Sequence, residues 1–199
     1  MNPQRRGEET RARILQAAGE SFARCGYDAT GVAEICRRAG VTKGAFYYHF
    51  SSKQALFLEL LDRWLAGLDT QLEAARAGAE TVPEGLLQMA GMVQQVFQVA
   101  GGQLPIFLEF LTQAAHDPAV WQATIAPYRR YRDFFASMIE AGIAEGTLRP
   151  VDPEVVAQVI VSLAVGLVLQ GLLDSHGADW GQVAQEGIQM LLESLERKE

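Results

Sequence analysis

From Thr42 to Lys53 the chain groups Thr42, Lys43, Gly44, Tyr47, Tyr48, His49 and Lys53 around an apolar pair, Phe46 and Phe50. Two adjacent tyrosines with a histidine and a lysine on one short helix are poor choices for solubility alone. They suit a DNA duplex. Lys43 can donate to guanine acceptors and the tyrosine rings can pack on thymine methyls, while tyrosine hydroxyl and imidazole N–H groups reach phosphates. Lys53 opens the next helix, where free backbone N–H groups and the helix dipole already favour a phosphate. No other cluster competes with this one. His116-Asp117 and Asp174-x-His176 stand at helix ends without a nucleophile motif or a partner cluster, so no catalysis, metal or cofactor is expected. Cys25 and Cys36 fall on the apolar stripes of adjacent helices and are expected to be buried and reduced.

Periodicity supplies the elements that would hold these residues. Ile14, Leu15, Ala18 and Phe22 recur at helical spacing between Glu8 and Arg24, and Gly26 stops the run. Val32, Ile35, Cys36 and Ala39 form a second stripe that ends at Gly40. Thr42 can cap a third short helix, Lys43 to His49, and Ser51 or Ser52 a fourth that carries Leu56, Phe57, Leu60, Leu61, Trp64 and Leu68. Helix, tight turn at Gly40, helix is the helix-turn-helix layout. A plain structural bundle with incidental surface aromatics would not need turn, core and exposed positions to fit together.

Beyond a break at Ala77–Pro83 come apolar stripes over Glu84 to Ala100, Leu104 to His116 and Asp117-Pro118 to about Ala144. After a loop from Gly146 to Pro153, Val155–Leu173 is apolar nearly all round, and Trp180–Arg197 shows one broad apolar face. The expectation is an all-α chain of about nine helices. Residues 1–55 would form a helix-turn-helix domain and 56–199 a second domain, with the helix over 53–76 connecting them.

Composition narrows the function classes. Of 199 residues 49% are apolar and 21% charged, enough to bury a core, and two cysteines cannot build a disulfide scaffold. Residues 1–55 carry nine Lys or Arg against five acids, a balance of +4, while the rest carries eight against nineteen, a balance of −11. An acidic chain with a basic first quarter can bind nucleic acid through that end. The longest clean apolar run, Leu163 to Leu169, is far short of the ~18 residues of a membrane span, and Met1 to Arg6 lead into no apolar signal core. A soluble, cytoplasmic protein is expected.

From about Arg11 to Leu61 the chain resembles the tetracycline-repressor (TetR) family of bacterial transcription regulators. The likeness is carried by Gly26-Tyr27, Ala29-Thr30, Lys53 and the run Gly40-Val41-Thr42-Lys43-Gly44-Ala45-Phe46-Tyr47-Tyr48-His49-Phe50. It implies that Tyr47, His49 and Lys53 hold phosphates, that Lys43, Gly44 and Tyr48 face bases, and that Thr42 caps the recognition helix and touches the backbone. Thr30 and Gly31, at the start of the second helix, complete the implied DNA-binding set. Gly31 departs from the family, which has a capping threonine there. Glycine is a tolerable cap, and Glu34 supplies the other half of a capping box. Arg5, Arg6, Arg11 and Arg13 read equally as a minor-groove arm or as a solvated helix start.

The resemblance also implies a dimer, formed through helices 155–173 and 180–195, on a palindromic double-stranded operator. A small apolar or aromatic effector would shift the dimer so that its recognition helices no longer match major grooves ~34 Å apart. Repression is the usual outcome in that family. Inward-facing residues expected to line the effector site are Trp64, Leu68, Met89, Met92, Val93, Phe97, Phe107, Phe110, Leu111, Tyr128, Tyr131, Phe134, Phe135 and Met138, with Gln94, Gln98, Gln113 and Gln170 as polar partners. Two other readings remain open. One is a DNA-binding protein of this fold without an effector, and the other is a helical carrier of apolar ligands whose first domain is vestigial.

Overall fold

The computed structural model describes residues 3–99, 104–174 and 176–196; the side chains of 3, 4, 93–99, 104, 105 and 107 fall outside that description. Nine helices occupy the described residues: α1 (Pro3–Cys25), α2 (Val32–Ala39), α3 (Lys43–His49), α4 (Lys53–Gly78), α5 (Val82–Val99), α6 (Leu104–Ala114), α7 (Pro118–Glu145), α8 (Pro153–Leu173) and α9 (Trp180–Leu195). The fold is all-α. Among the described residues the sole β-type pairing is an isolated bridge between Leu148 and Glu196.

The chain divides into two compact units. The first takes in residues 1–66 and 101–124. Its core joins Ile14, Leu15, Ala18 and Phe22 of α1 to Ile35, Phe46, Phe50, Leu56 and Phe57, and α6 adds Ile106 and Phe110, all buried. An aromatic chain runs through it. The Phe57 ring lies 5.4 Å from Phe22, 4.5 Å from Tyr27 and 4.1 Å from Phe110. Gly40 ends α2 at φ +64, a left-handed position that an L side chain resists, and the turn closes with the Val41 N–H on the Cys36 carbonyl.

Residues 67–100 and 125–199 make the second unit. Leu86, Met89 and Ala90 of α5, Phe135, Met138 and Ile139 of α7, Ala157 and Ile160 of α8, and Ile188 and Leu192 of α9 share one core. Asp152 caps α8 by accepting from the amides of Glu154 and Val155, with Pro153 in the first turn, and Asp179 caps α9. Gly142 is needed for close packing, because a Cβ there would lie 2.7 Å from Leu148.

Several expectations change. Helix α1 begins at Pro3, so Arg5, Arg6, Arg11 and Arg13 stand on a helix and are not a free arm. Arg5 pairs with Glu9 one turn on, and Arg11 pairs with Glu59 of α4 while lying 5.0 Å over the Phe50 ring. Cys36 is buried but Cys25 is exposed, since the apolar stripe of α1 closes before its last residue. Asp117, at a helix end, has a structural duty. Its carboxylate caps α7 on the amides of Ala119 and Val120 and accepts from Gln54 Nε2 at 2.6 Å. By length and composition α8 is apolar enough to cross a bilayer, which counting uninterrupted runs overlooks, since Gln158 and Ser162 break the run.

Helix α4 passes from the first unit to the second at Gly67, where an added Cβ would meet no atom within 4 Å. Gly67→Ala is therefore expected to raise stability by about 0.5–1 kcal/mol, by removing backbone freedom from the unfolded chain. A urea midpoint below that of the unmodified protein would contradict it.

Candidate nucleic-acid interface

The recognition helix is short, and its ends are closed locally. The Thr42 hydroxyl accepts from the Ala45 amide at 3.1 Å, and the Phe50 amide returns to the Phe46 carbonyl at 2.9 Å. Phe46 is fully buried and packs edge-on against the Tyr47 ring at 5.2 Å. With Phe46 and Phe50 turned inward, the other side chains of α3 face out. Tyr47 is 55% exposed and Tyr48 85%, with Lys43 and Gly44 exposed beside them and His49 half-buried against the Tyr48 ring. Large aromatic groups held in water on a capped, packed helix mark a candidate binding surface. Thr42, Lys43, Gly44, Tyr47, Tyr48 and His49 thus share one short helix and its cap.

Three residues expected in the interface have other duties. Thr30 is 2% exposed, and its hydroxyl donates to the Gly26 carbonyl at 2.7 Å, so its side chain stabilises the turn after α1 and does not reach the surface. Gly31 caps α2 with its backbone alone. Glu34 does not close a capping box. Its carboxylate receives Arg37 and Arg38 instead, and the hydrogen bond from Arg37 holds its pKa below the usual carboxylate range. The Lys53 ammonium donates to the carbonyls of Tyr27 at 2.8 Å and Thr30 at 3.1 Å and sits 4.1 Å from the centre of the Tyr27 ring. Burial lowers its pKa, with Asp28 opposing. Two of its three protons bind the loop between α1 and α2, which leaves one for a phosphate.

That loop has a further support that no local pattern announces. Glu109 of α6 accepts the Tyr27 amide at 2.8 Å, and Gln113 reaches Asp28 at 3.4 Å. The loop between α1 and α2 thus depends on a helix more than eighty residues away along the chain.

The residues expected to line an effector site divide between the units. Met89, Phe135 and Met138 are buried in the core of the second, and Leu68, Met92, Tyr128, Tyr131 and Phe134 pack partly buried against it. Phe110 and Leu111 belong to the first unit, where Phe110 stacks on Phe57; Trp64, half-buried, is in the same unit. Gln170 is exposed and returns its amide to the Gly166 carbonyl at 3.3 Å, so it does not line an inward face. The side chains of Val93, Phe97 and Phe107, with those of Gln94 and Gln98, fall outside the description. No group of acids, cysteines and histidines that could hold a metal ion occurs among the described residues.

Both parts of the chain are similar to known proteins. Residues 14–60 match the model for bacterial regulatory proteins of the tetR family, and residues 84–197 match that for the C-terminal part of BetI-type transcriptional repressors. The A-factor receptor protein of Streptomyces griseus is 34% identical over 188 residues, which cover 93% of this chain but 63% of that protein's length. The HTH-type transcriptional regulator UidR of Escherichia coli is 25% identical over 171 residues, 84% of each chain. Among solved structures, a transcriptional regulator from Saccharomonospora viridis in complex with choline superposes with a TM-score of 0.84 at 22% identity, covering 96% of this chain and all of that one.

Proposed function

The chain belongs to the TetR family of bacterial regulatory proteins, non-enzymatic DNA-binding transcription regulators, and from that premise we propose a ligand-responsive repressor that binds a palindromic operator as a homodimer. The observation that carries the reading is the exposed pair Tyr47 and Tyr48, beside Lys43, on a helix capped by Thr42. In this reading residues 1–55 bind DNA in the cytoplasm, residues 56–199 bind effector and dimerise, and α4 connects the two. Val155 and Val159 of α8 with Val183 and Met190 of α9 leave apolar surface open on one chain, which a two-fold copy would cover as a four-helix interface. One relative is named a receptor and one structural neighbour holds choline. For this chain, with its methionine and aromatic side chains in the second unit, we take the effector to be a small apolar or aromatic molecule.

Selecting bound duplexes from a random library at near-physiological salt tests the proposal. A palindrome with half-sites about one helical turn apart supports it. Absence of any motif, from folded dimeric protein, would point to the carrier reading. With the operator in hand, Tyr47→Ala is expected to weaken specific binding by about 1–3 kcal/mol with the fold intact, and to flatten the salt dependence by up to ~0.9 per lost phosphate contact. Lys53→Ala should do both and also lower the melting temperature, because two loop carbonyls lose their donor. Unchanged affinity and slope in the Tyr47 variant would remove that residue from the interface.

A further inference from the structure

Tyr27, in the turn between α1 and α2, is held from three directions. Its ring lies 5.4 Å from Phe22 and 4.5 Å from Phe57, its carbonyl accepts from Lys53 Nζ at 2.8 Å, and its amide donates to Glu109 Oε2 at 2.8 Å. Gly26 leaves room for that last contact, since a Cβ there would lie 3.2 Å from Glu109 Oε1. Within the turn, the Thr30 amide returns to the Tyr27 carbonyl at 3.2 Å and the Thr30 hydroxyl to the Gly26 carbonyl at 2.7 Å. These local bonds shape the turn. What ties it to its neighbours is the Tyr27 ring, Lys53 of α4 and Glu109 of α6, with a longer reach from Gln113 to Asp28 at 3.4 Å.

A carboxylate is an odd choice for this duty in a unit that meets DNA, because its charge repels phosphates. As an acceptor it has an advantage. A charge-assisted bond to an amide is about twice as strong as a neutral one. The Tyr27 residue thus stands between Glu109 on its amide and Lys53 on its carbonyl. The Lys53 ammonium gives two protons to the carbonyls of Tyr27 and Thr30 and keeps one. The direction of that third proton is set by where the two carbonyls lie, and the carbonyls lie where the turn is tied.

We propose that Glu109 is a positioning residue for operator binding: without touching DNA, its carboxylate fixes the Tyr27 amide and so aims the third Lys53 proton at a phosphate. The inference rests on the regulator reading above and adds a residue that the helix-turn-helix itself does not contain. It also fixes a sign. Removing an acid that serves only as surface charge tightens DNA binding, because repulsion falls. Removing a positioning acid loosens it.

The full-length protein, three variants and the selected operator test the proposal. Glu109→Gln keeps an acceptor oxygen for the Tyr27 amide, whereas Glu109→Ala and Glu109→Leu remove it, the second with little loss of bulk. Fluorescence anisotropy of labelled operator over a range of salt reads affinity and slope together. The Gln variant is expected to bind at least as tightly as the unmodified protein, with the same slope. The Ala and Leu variants should bind about tenfold more weakly, with the salt dependence flattened by up to ~0.9 per lost phosphate contact. In a Lys53→Ala background, Glu109→Leu should flatten it no further. A structural role alone would lower the melting temperature and leave the slope as it was. Amide hydrogen exchange without DNA should quicken at Tyr27 in the Ala and Leu variants and hold steady in the Gln variant. Equal or tighter operator binding by the Ala and Leu variants, an unchanged slope, further flattening in the double variant or unchanged exchange at Tyr27 would overturn the role of Glu109 and leave the regulator standing. An unmodified protein that binds no selected duplex would remove the regulator reading and this proposal together.

Discussion

Truncating Phe46 to alanine is expected to destabilise the first unit by about 3–5 kcal/mol, a large share of a domain's total stability, and to abolish operator binding. The side chain is fully buried, and it is the chief anchor of α3. A helix this short has no stability of its own in water, so its conformation is set by packing and by the Thr42 cap. Removing the ring deletes its edge contact with Tyr47 and its tilted contact with Phe50 and opens a cavity beneath the exposed face. Urea unfolding followed by helical signal would read the loss, and gel shift on the selected operator would read the function. Phe46→Leu, which keeps most of the volume, should recover most of both. Full operator affinity in Phe46→Ala would mean that α3 does not present the reading surface.

The contrast with Tyr47→Ala separates what could be read in the sequence from what could not. The capped recognition helix was legible because its determinants are local: Thr42 and Ala45 are three residues apart, and Phe46 and Phe50 share one face. Lys53 and Thr30 could be placed near the interface, but not their duties. The Lys53 ammonium bonds carbonyls 23 and 26 residues away, and nothing in the run of residues marks those acceptors. The same limit hid Glu109, whose partner amide is 82 positions distant, and so hid the membership of α6 in the first unit. Glu34 misled for a different reason. Its spacing from Gly31 fits a capping box, yet two arginines one turn on hold the carboxylate by charge-assisted bonds stronger than a neutral amide could offer. In the second unit the aromatic and methionine content was readable, whereas the pairing of Arg130 with Asp69, 61 positions apart, appears only once α7 is packed against its neighbours.

The open apolar face of α8 and α9 carries the other large effect. Val159 is 46% exposed and Val155 lies one turn before it, while Met190, 71% exposed, stands two turns after Val183 on α9. Val159→Asp should leave the isolated chain folded, since that position is half open to water before any association. In an isologous dimer the substitution occurs twice, and each carboxylate closed into the interface without a partner costs about 3–5 kcal/mol. Sedimentation at micromolar concentration is therefore expected to find monomer. Operator affinity should fall by 10² or more, because two linked half-site contacts become two independent ones. Met190→Asp should behave alike. Leu87→Asp, at a comparably exposed leucine on α5, should not, since that helix is outside the proposed interface. Loss of the dimer in all three would reduce the effect to surface charge, and retention in the first two would move the interface off α8 and α9. Only the pattern of two lost and one kept ties the palindrome read by α3 to the apolar surface that one copy of the chain leaves uncovered.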